Sequence, residues 1–180
     1  MTNIPTLPTM QMAAALAIQE LAPYCLPDRC EVAGSIRRRK KNPKDVEIVC
    51  VPQSIAMVDL FGAEMIPARS PGFCTAVNKW ERVKGQPEGR YTQRVLPSGI
   101  VLDLFMVTLD TWGTQYAIRT GPAEYSHKVL ACRWCQLGYK MEGGMLYRGG
   151  EAVPVRTERE LFDLLGLRWV EPEDRYGRDS

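Results

Sequence analysis

Asp45-Val46-Glu47-Ile48-Val49-Cys50-Val51 is the stretch from which the fold is read. Its near-continuous apolar residues describe a buried strand. Side chains at i and i+2 of a strand share a face, so Asp45 and Glu47 emerge side by side. A second strand-like run, Ile100-Val101-Leu102-Asp103-Leu104-Phe105-Met106-Val107, carries a lone acid at its centre. A carboxylate there is costly to bury without a partner. Upstream of both lies Gly34-Ser35, a small-residue turn suited to receive a phosphate. Three acids on neighbouring strands repel one another unless a cation neutralises them, and an all-oxygen set favours magnesium or manganese.

Each piece has a plainer reading. An Asp-x-Glu pair is most often the solvated face of a strand, and Gly-Ser alone is most often a turn. Asp103 is harder to dismiss, because apolar residues flank it on both sides. Arg37-Arg38-Arg39-Lys40-Lys41 falls between the turn and the first acid. Charge runs are usually solvated loops. Here the position suits anion binding, and Arg38 is the candidate for a bidentate triphosphate contact.

Around this centre the chain reads as a small α/β (α+β) protein. An Ala-rich helix over about Thr9–Ala22 is expected to pack Met12, Leu16 and Leu21 on the sheet, after a short Pro5/Pro8 tail. Strands are expected near Glu31–Ala33, Asp45–Val51, Arg90–Leu96 and Ile100–Val107. Residues 53–80 are expected to contain a helix. Helices follow over Thr111–Ile118 and Pro122–Leu137, the second stopped by Gly138. Met141-Glu142-Gly143-Gly144-Met145 and Arg148-Gly149-Gly150-Glu151 mark turns of a small antiparallel sheet. Thr157-x-x-Glu160 is a capping box whose helix ends at Gly166.

Length and charge narrow the classes. The 180 residues allow one compact domain or two small lobes. A net charge of +2 is modest for a nucleic-acid enzyme and predicts weak, salt-sensitive DNA binding. No signal peptide or membrane span is read from the chain, and six cysteines without a disulfide framework suggest a reducing, intracellular (cytoplasmic) setting. Cys132-Arg133-Trp134-Cys135 lacks a second close-spaced pair and reads as free helical thiols. His127, the one histidine, reads as a surface or DNA-facing helix residue.

At this point the residues carry a resemblance. Glu31-Val-Ala-Gly-Ser-Ile-Arg-Arg-Arg through Asp45-Val-Glu-Ile-Val resembles the palm signature of the family X, polymerase beta-like, DNA polymerases. Tyr116-Ala-Ile-Arg-Thr-Gly-Pro122, Leu137-Gly-Tyr and Thr157 through Arg175 resemble that family's C-terminal nucleotide-selecting subdomain, the thumb. The layout is similar to that of the smallest viral members. The resemblance implies a nucleotidyltransferase palm over 1–110, with a mixed sheet and flanking helices, and a small α/β thumb over 111–180. It implies a monomer adding dNTPs to a primer-template or gapped DNA. Two Mg2+ ions would be held by Asp45, Glu47 and Asp103, with Mn2+ able to substitute, and Asp103 would accept the primer hydroxyl proton. Gly34, Ser35, Arg38, Lys44, Thr120 and Gly121 would hold the nucleotide.

Departures from the family pattern set further expectations. Glu47 stands where Asp is usual, which favours a drift towards manganese. Ile118 and Arg119 occupy the sugar-selecting position where relatives carry aromatics, so weaker discrimination against ribonucleotides is expected. A cis bond is expected at Gly121–Pro122. The Pro122–Leu137 helix is about one residue longer than in the animal enzymes. Two other readings stay open: a nucleotidyltransferase acting on an untemplated end, an RNA, a protein or a small molecule, and a non-catalytic DNA-binding module.

Overall fold

The computed structural model describes residues 5–58 and 65–176. The chain opens with helix α1 (Leu7–Leu21), then strand β1 (Cys25–Val32) and the one-turn helix α2 (Gly34–Arg37). Next come β2 (Val46–Pro52), β3 (Ser54–Val58), β4 (Met65–Arg69) and α3 (Pro71–Asn78). β5 (Glu81–Gly85), β6 (Tyr91–Val95) and β7 (Val101–Met106) follow. The C-terminal part holds α4 (Trp112–Thr120), α5 (Ala123–Tyr125), α6 (Cys132–Gln136), β8 (Tyr139–Glu142), β9 (Met145–Arg148), β10 (Glu151–Val153) and α7 (Glu158–Leu164).

The central sheet has five strands in the order β1-β2-β7-β6-β5. Only β2 and β7 pair in parallel; the other pairs are antiparallel, so the sheet is mixed. Strand alternation divides it into two faces. Val46, Ile48, Cys50, Leu102, Leu104 and Met106 point into a core closed by α1 and α3. Burying each large apolar side chain there stabilises the fold by about 1.5–3 kcal/mol. Val49 and Val51, on the opposite face, pack with Trp112 and Tyr116 of α4. The remainder of that face carries the acids.

Of the three α1 residues expected to face the sheet, Leu21 does so and Met12 and Leu16 do not. Met10, Ala13, Ala14, Ala17 and Leu21 are its buried residues, whereas Met12 and Leu16 are 63% and 56% exposed. Both stripes have helical spacing, but the alanine stripe lets the helix backbone approach the sheet more closely. The helix also starts earlier than expected, at Leu7, because Pro8 in the first turn costs no intrahelical hydrogen bond. The described part of residues 53–80 contains the expected helix as α3, together with the antiparallel pair β3 and β4.

A separate core forms in the C-terminal part from Ala117, Tyr125, Leu130, Trp134, Leu146, Leu161 and Phe162. Its three-stranded sheet, in the order β10-β9-β8, turns through Gly143-Gly144 and Gly149-Gly150, all at positive φ. The Thr157 hydroxyl accepts from the Glu160 amide at 3.1 Å, and the Glu160 carboxylate accepts from the Thr157 amide at 3.2 Å. That is the capping box read from the sequence. Between α5 and α6, residues Ser126–Ala131 form a π-helical segment, the wider turn that accommodates an extra residue within a helix. No cis peptide bond occurs among the described residues, so the Gly121–Pro122 bond is trans, contrary to expectation. Gly121 (φ −68°, ψ 152°) and Pro122 (φ −62°, ψ 154°) instead make the corner through extended backbone.

Candidate active site

The parallel pairing of β2 and β7 brings the acids together. Glu47 stands directly across from Asp103 in the register, and Asp45 lies one residue before β2 begins, close enough for its charge to act on Glu47 and for that of Asp103 to act on it. Adjacent strands lie about 4.8 Å apart, so these carboxylates are neighbours although far apart in sequence. Burial, aided by the Asp103 charge, raises the pKa of Asp45. Burial pushes Glu47 up to about 7, with Asp45 and Asp103 adding to the rise and Arg38 and Arg119 opposing it.

The turn between β1 and β2 packs against this face. Gly34 has φ +60°, and a Cβ there would run into the Glu47 carboxylate. Glycine therefore answers two demands at once, a left-handed backbone and the space Glu47 occupies. Ser35 Oγ is buried without a hydrogen-bond partner. An orphaned hydroxyl beside a glycine turn is a position that an oxyanion would satisfy. Lys44 is exposed at the rim.

The basic run divides by role. Arg38 donates to the carbonyl of Thr120, and burial lowers its pKa while the Glu47 charge opposes that. Arg37 turns away from the turn. Its Nη1 donates to Thr120 Oγ1 at 2.6 Å and its Nη2 to Glu158 at 2.6 Å, with the guanidinium 3.9 Å from the Tyr116 ring centroid. Thr120 is fully buried, and both its hydroxyl and its carbonyl serve these arginines. It therefore acts in this structure as a strut between the two halves. Arg39 is exposed and pairs with Glu173 at 3.2 Å.

Of the sugar-position pair, the Ile118 carbonyl accepts from Ser126 Oγ at 2.8 Å. Arg119 lies over the Phe105 ring at 4.1 Å. The charges of Glu47 and Asp103 both reach it. From Arg119 and Phe105 a cleft of about 970 Å3 runs between the halves, with Arg69, Arg90 and Tyr91 on one wall and Gly143-Gly144 on the other.

Sequence reasoning missed the partners of Asp103. Tyr91 Oη donates to Asp103 Oδ1 at 2.5 Å, and Gln93 Nε2 donates to the same oxygen at 2.9 Å. The signal was present in the Leu96–Ile100 hairpin turn, closed by Leu96 N to Ile100 O at 2.9 Å. Counting back from that turn places Gln93 opposite Asp103. Glu158 was also missed; it joins Arg37 and the fully buried Arg175.

The arrangement fits hard divalent cations by chemistry: three oxygen donors, partly desolvated and mutually repelling, with neutral donors behind one of them. As placed, no group of three metal-binding side chains converges among the described residues. Glu47 rests on Gly34.

Residues 117–176 match the family model described as DNA polymerase beta thumb. That match supports a family X polymerase-like reading of the chain. No curated protein matches the chain. The match covers the C-terminal core, and the five-stranded mixed sheet before it has the layout of the palm. The two parts meet through α4: Trp112 and Tyr116 pack on the five-stranded sheet, and Ala117 packs in the C-terminal core. The cysteine pair lies on thumb helix α6, with both thiols exposed, and His127 is exposed on the π-helical segment. Among the described residues, no helix is long and apolar enough to cross a membrane.

Proposed function

We propose that the protein is a DNA-directed DNA polymerase of the family X type, adding dNTPs to a primer 3′-hydroxyl at nicks or short gaps. The observation that carries this reading is Glu47 paired across from Asp103, with Asp45 just before β2 and the orphaned Ser35 hydroxyl nearby, in a chain whose C-terminal part matches the polymerase beta thumb.

In this reading Asp45, Glu47 and Asp103 hold two divalent cations, magnesium or in its place manganese. Such ions would supply a lowered pKa for the primer hydroxyl and would offset charge on the leaving pyrophosphate. The protein supplies the rest. Asp103 takes the proton of the 3′-hydroxyl, whose oxygen forms the new bond to the α-phosphorus as the bond to pyrophosphate breaks. Ser35, Arg38 and the backbone amides around Gly34 and Lys44 hold the triphosphate in line. Gly121 ends the thumb helix beside that anion. Arg119 offers the sugar a flexible polar group where an aromatic wall would exclude a 2′-hydroxyl, so ribonucleotide discrimination is weak. Template DNA follows the cleft whose walls carry Arg69 and Arg90.

Insertion of one nucleotide into a one-base gap, in magnesium and separately in manganese, tests the proposal with Asp103→Ala as control. Insertion that obeys the template and vanishes in the variant supports it. Untemplated addition moves the activity to a terminal transferase. Metal-dependent turnover only on a non-DNA acceptor, or none at all in the folded protein, overturns it.

A further inference from the structure

The two hydrogen bonds to Asp103 converge on a single oxygen. Tyr91 and Gln93 are alternate residues of β6, so both project from the same face of that strand, and each donates to Oδ1. Among the described residues no hydrogen bond reaches Oδ2. A carboxylate that merely needed desolvation relief would be served as well by donors spread over its two oxygens. Here one oxygen is saturated and the other is left open.

Both donors are uncharged. An arginine or lysine in their place would neutralise the acid and weaken its hold on a cation. Phenol and amide fix the carboxyl plane and leave its charge for a ligand. Tyr91 is itself held: its ring packs on Phe105 with centroids 5.1 Å apart, and thumb residue Arg119 lies over the other partner of that stack. Gln93 has its place by register, since it is the β6 residue opposite Asp103.

We infer that Tyr91 and Gln93 are positioning residues that clamp Asp103 through Oδ1, so that Oδ2 alone serves as cation ligand and proton acceptor. The inference rests on the polymerase reading for its kinetic consequence, but the clamp itself concerns metal binding by the free protein. In this role Tyr91 and Gln93 act through Asp103.

Tyr91→Phe keeps the ring stack and removes one donor, and Gln93→Ala removes the other. Binding of Mn2+ to the free protein, followed by electron paramagnetic resonance, is expected to weaken about tenfold in each variant. Single-nucleotide insertion at saturating dNTP is expected to slow roughly tenfold or more, with KM for dNTP changed less than twofold. In an Asp103→Ala background, neither substitution should weaken Mn2+ binding further. Unchanged Mn2+ affinity in both single variants overturns the inference. So does an equal further loss in the Asp103→Ala background, which would mark a general packing effect. A wild-type protein that binds Mn2+ through Asp103 yet inserts no nucleotide would sink the polymerase reading and leave the clamp standing.

Discussion

Arg37 of the palm donates to Glu158 of the thumb at 2.6 Å, and Glu158 simultaneously accepts from Arg175 at 2.7 Å. The carboxylate thus sits between two arginines, one of them fully buried. Removing one partner of such a group leaves a buried charge uncompensated, which costs more than the pair itself contributes. Glu158→Ala is therefore expected to destabilise the protein by about 3 kcal/mol. Urea unfolding measures this, and a change below about 0.5 kcal/mol would show that the thumb does not depend on the triad.

Glu47 makes cation binding pH-dependent. Its folded pKa, pushed up from 4.5 to about 7, means that the folded state keeps a proton the unfolded chain has released. The resulting stability is fully present below 4.5 and is lost as pH rises through about 7. A cation needs the ionised form, so its affinity should fall by up to about tenfold per pH unit below that value. Thermal melts with and without magnesium should show a larger stabilisation at pH 8 than at pH 6. Equal shifts at both would count against Glu47 as a ligand.

Ser35 offers a substitution that separates stability from function. Its buried hydroxyl lacks a partner, so Ser35→Ala removes a desolvated group and should leave the melting temperature unchanged or raised. The same change should raise KM for dNTP roughly tenfold if the hydroxyl meets a phosphate oxygen. Steady-state insertion kinetics beside a melt decide the matter, and an unaltered KM would remove Ser35 from the cradle.

Gly34 should tolerate no side chain. Gly34→Ala meets both the positive φ and the Glu47 carboxylate. The expected result is a loss of about 1–3 kcal/mol in chemical denaturation, together with weakened Mn2+ binding because Glu47 is displaced. Retained stability and metal affinity would mean that the turn relaxes.

On α1 the exposed and buried stripes predict opposite sensitivities. Met12→Gln lies on the exposed face and should change stability by no more than about 0.5 kcal/mol. Ala17→Leu forces extra volume into a helix–sheet contact and should cost about 1–3 kcal/mol. A reversed order in thermal unfolding would return Met12 and Leu16 to the core.

The sequence by itself determined the strand that starts just after Asp45 and the one around Asp103, the capping box of Thr157 and Glu160, and the paired-glycine turns. These depend on the two-residue period of a strand, on the few backbone states open to glycine, and on bonds between residues close in the chain. Tertiary structure decided which residues those elements meet. On α1 Leu21 faces the sheet as its size suggests, but the closeness of the sheet gives the places expected for Met12 and Leu16 to alanines. Arg37 and Arg38 are indistinguishable in a basic run, yet docking of the thumb takes Arg37 to Glu158, 121 positions away, and leaves Arg38 near Glu47. Thr120 carries a hydroxyl suited to a nucleotide, and the same docking spends it on Arg37. The Tyr91–Gln93 clamp needs the β6–β7 register as well as both side chains. Such partnerships are settled by the packing of whole elements, a long-range free-energy balance that no local pattern encodes.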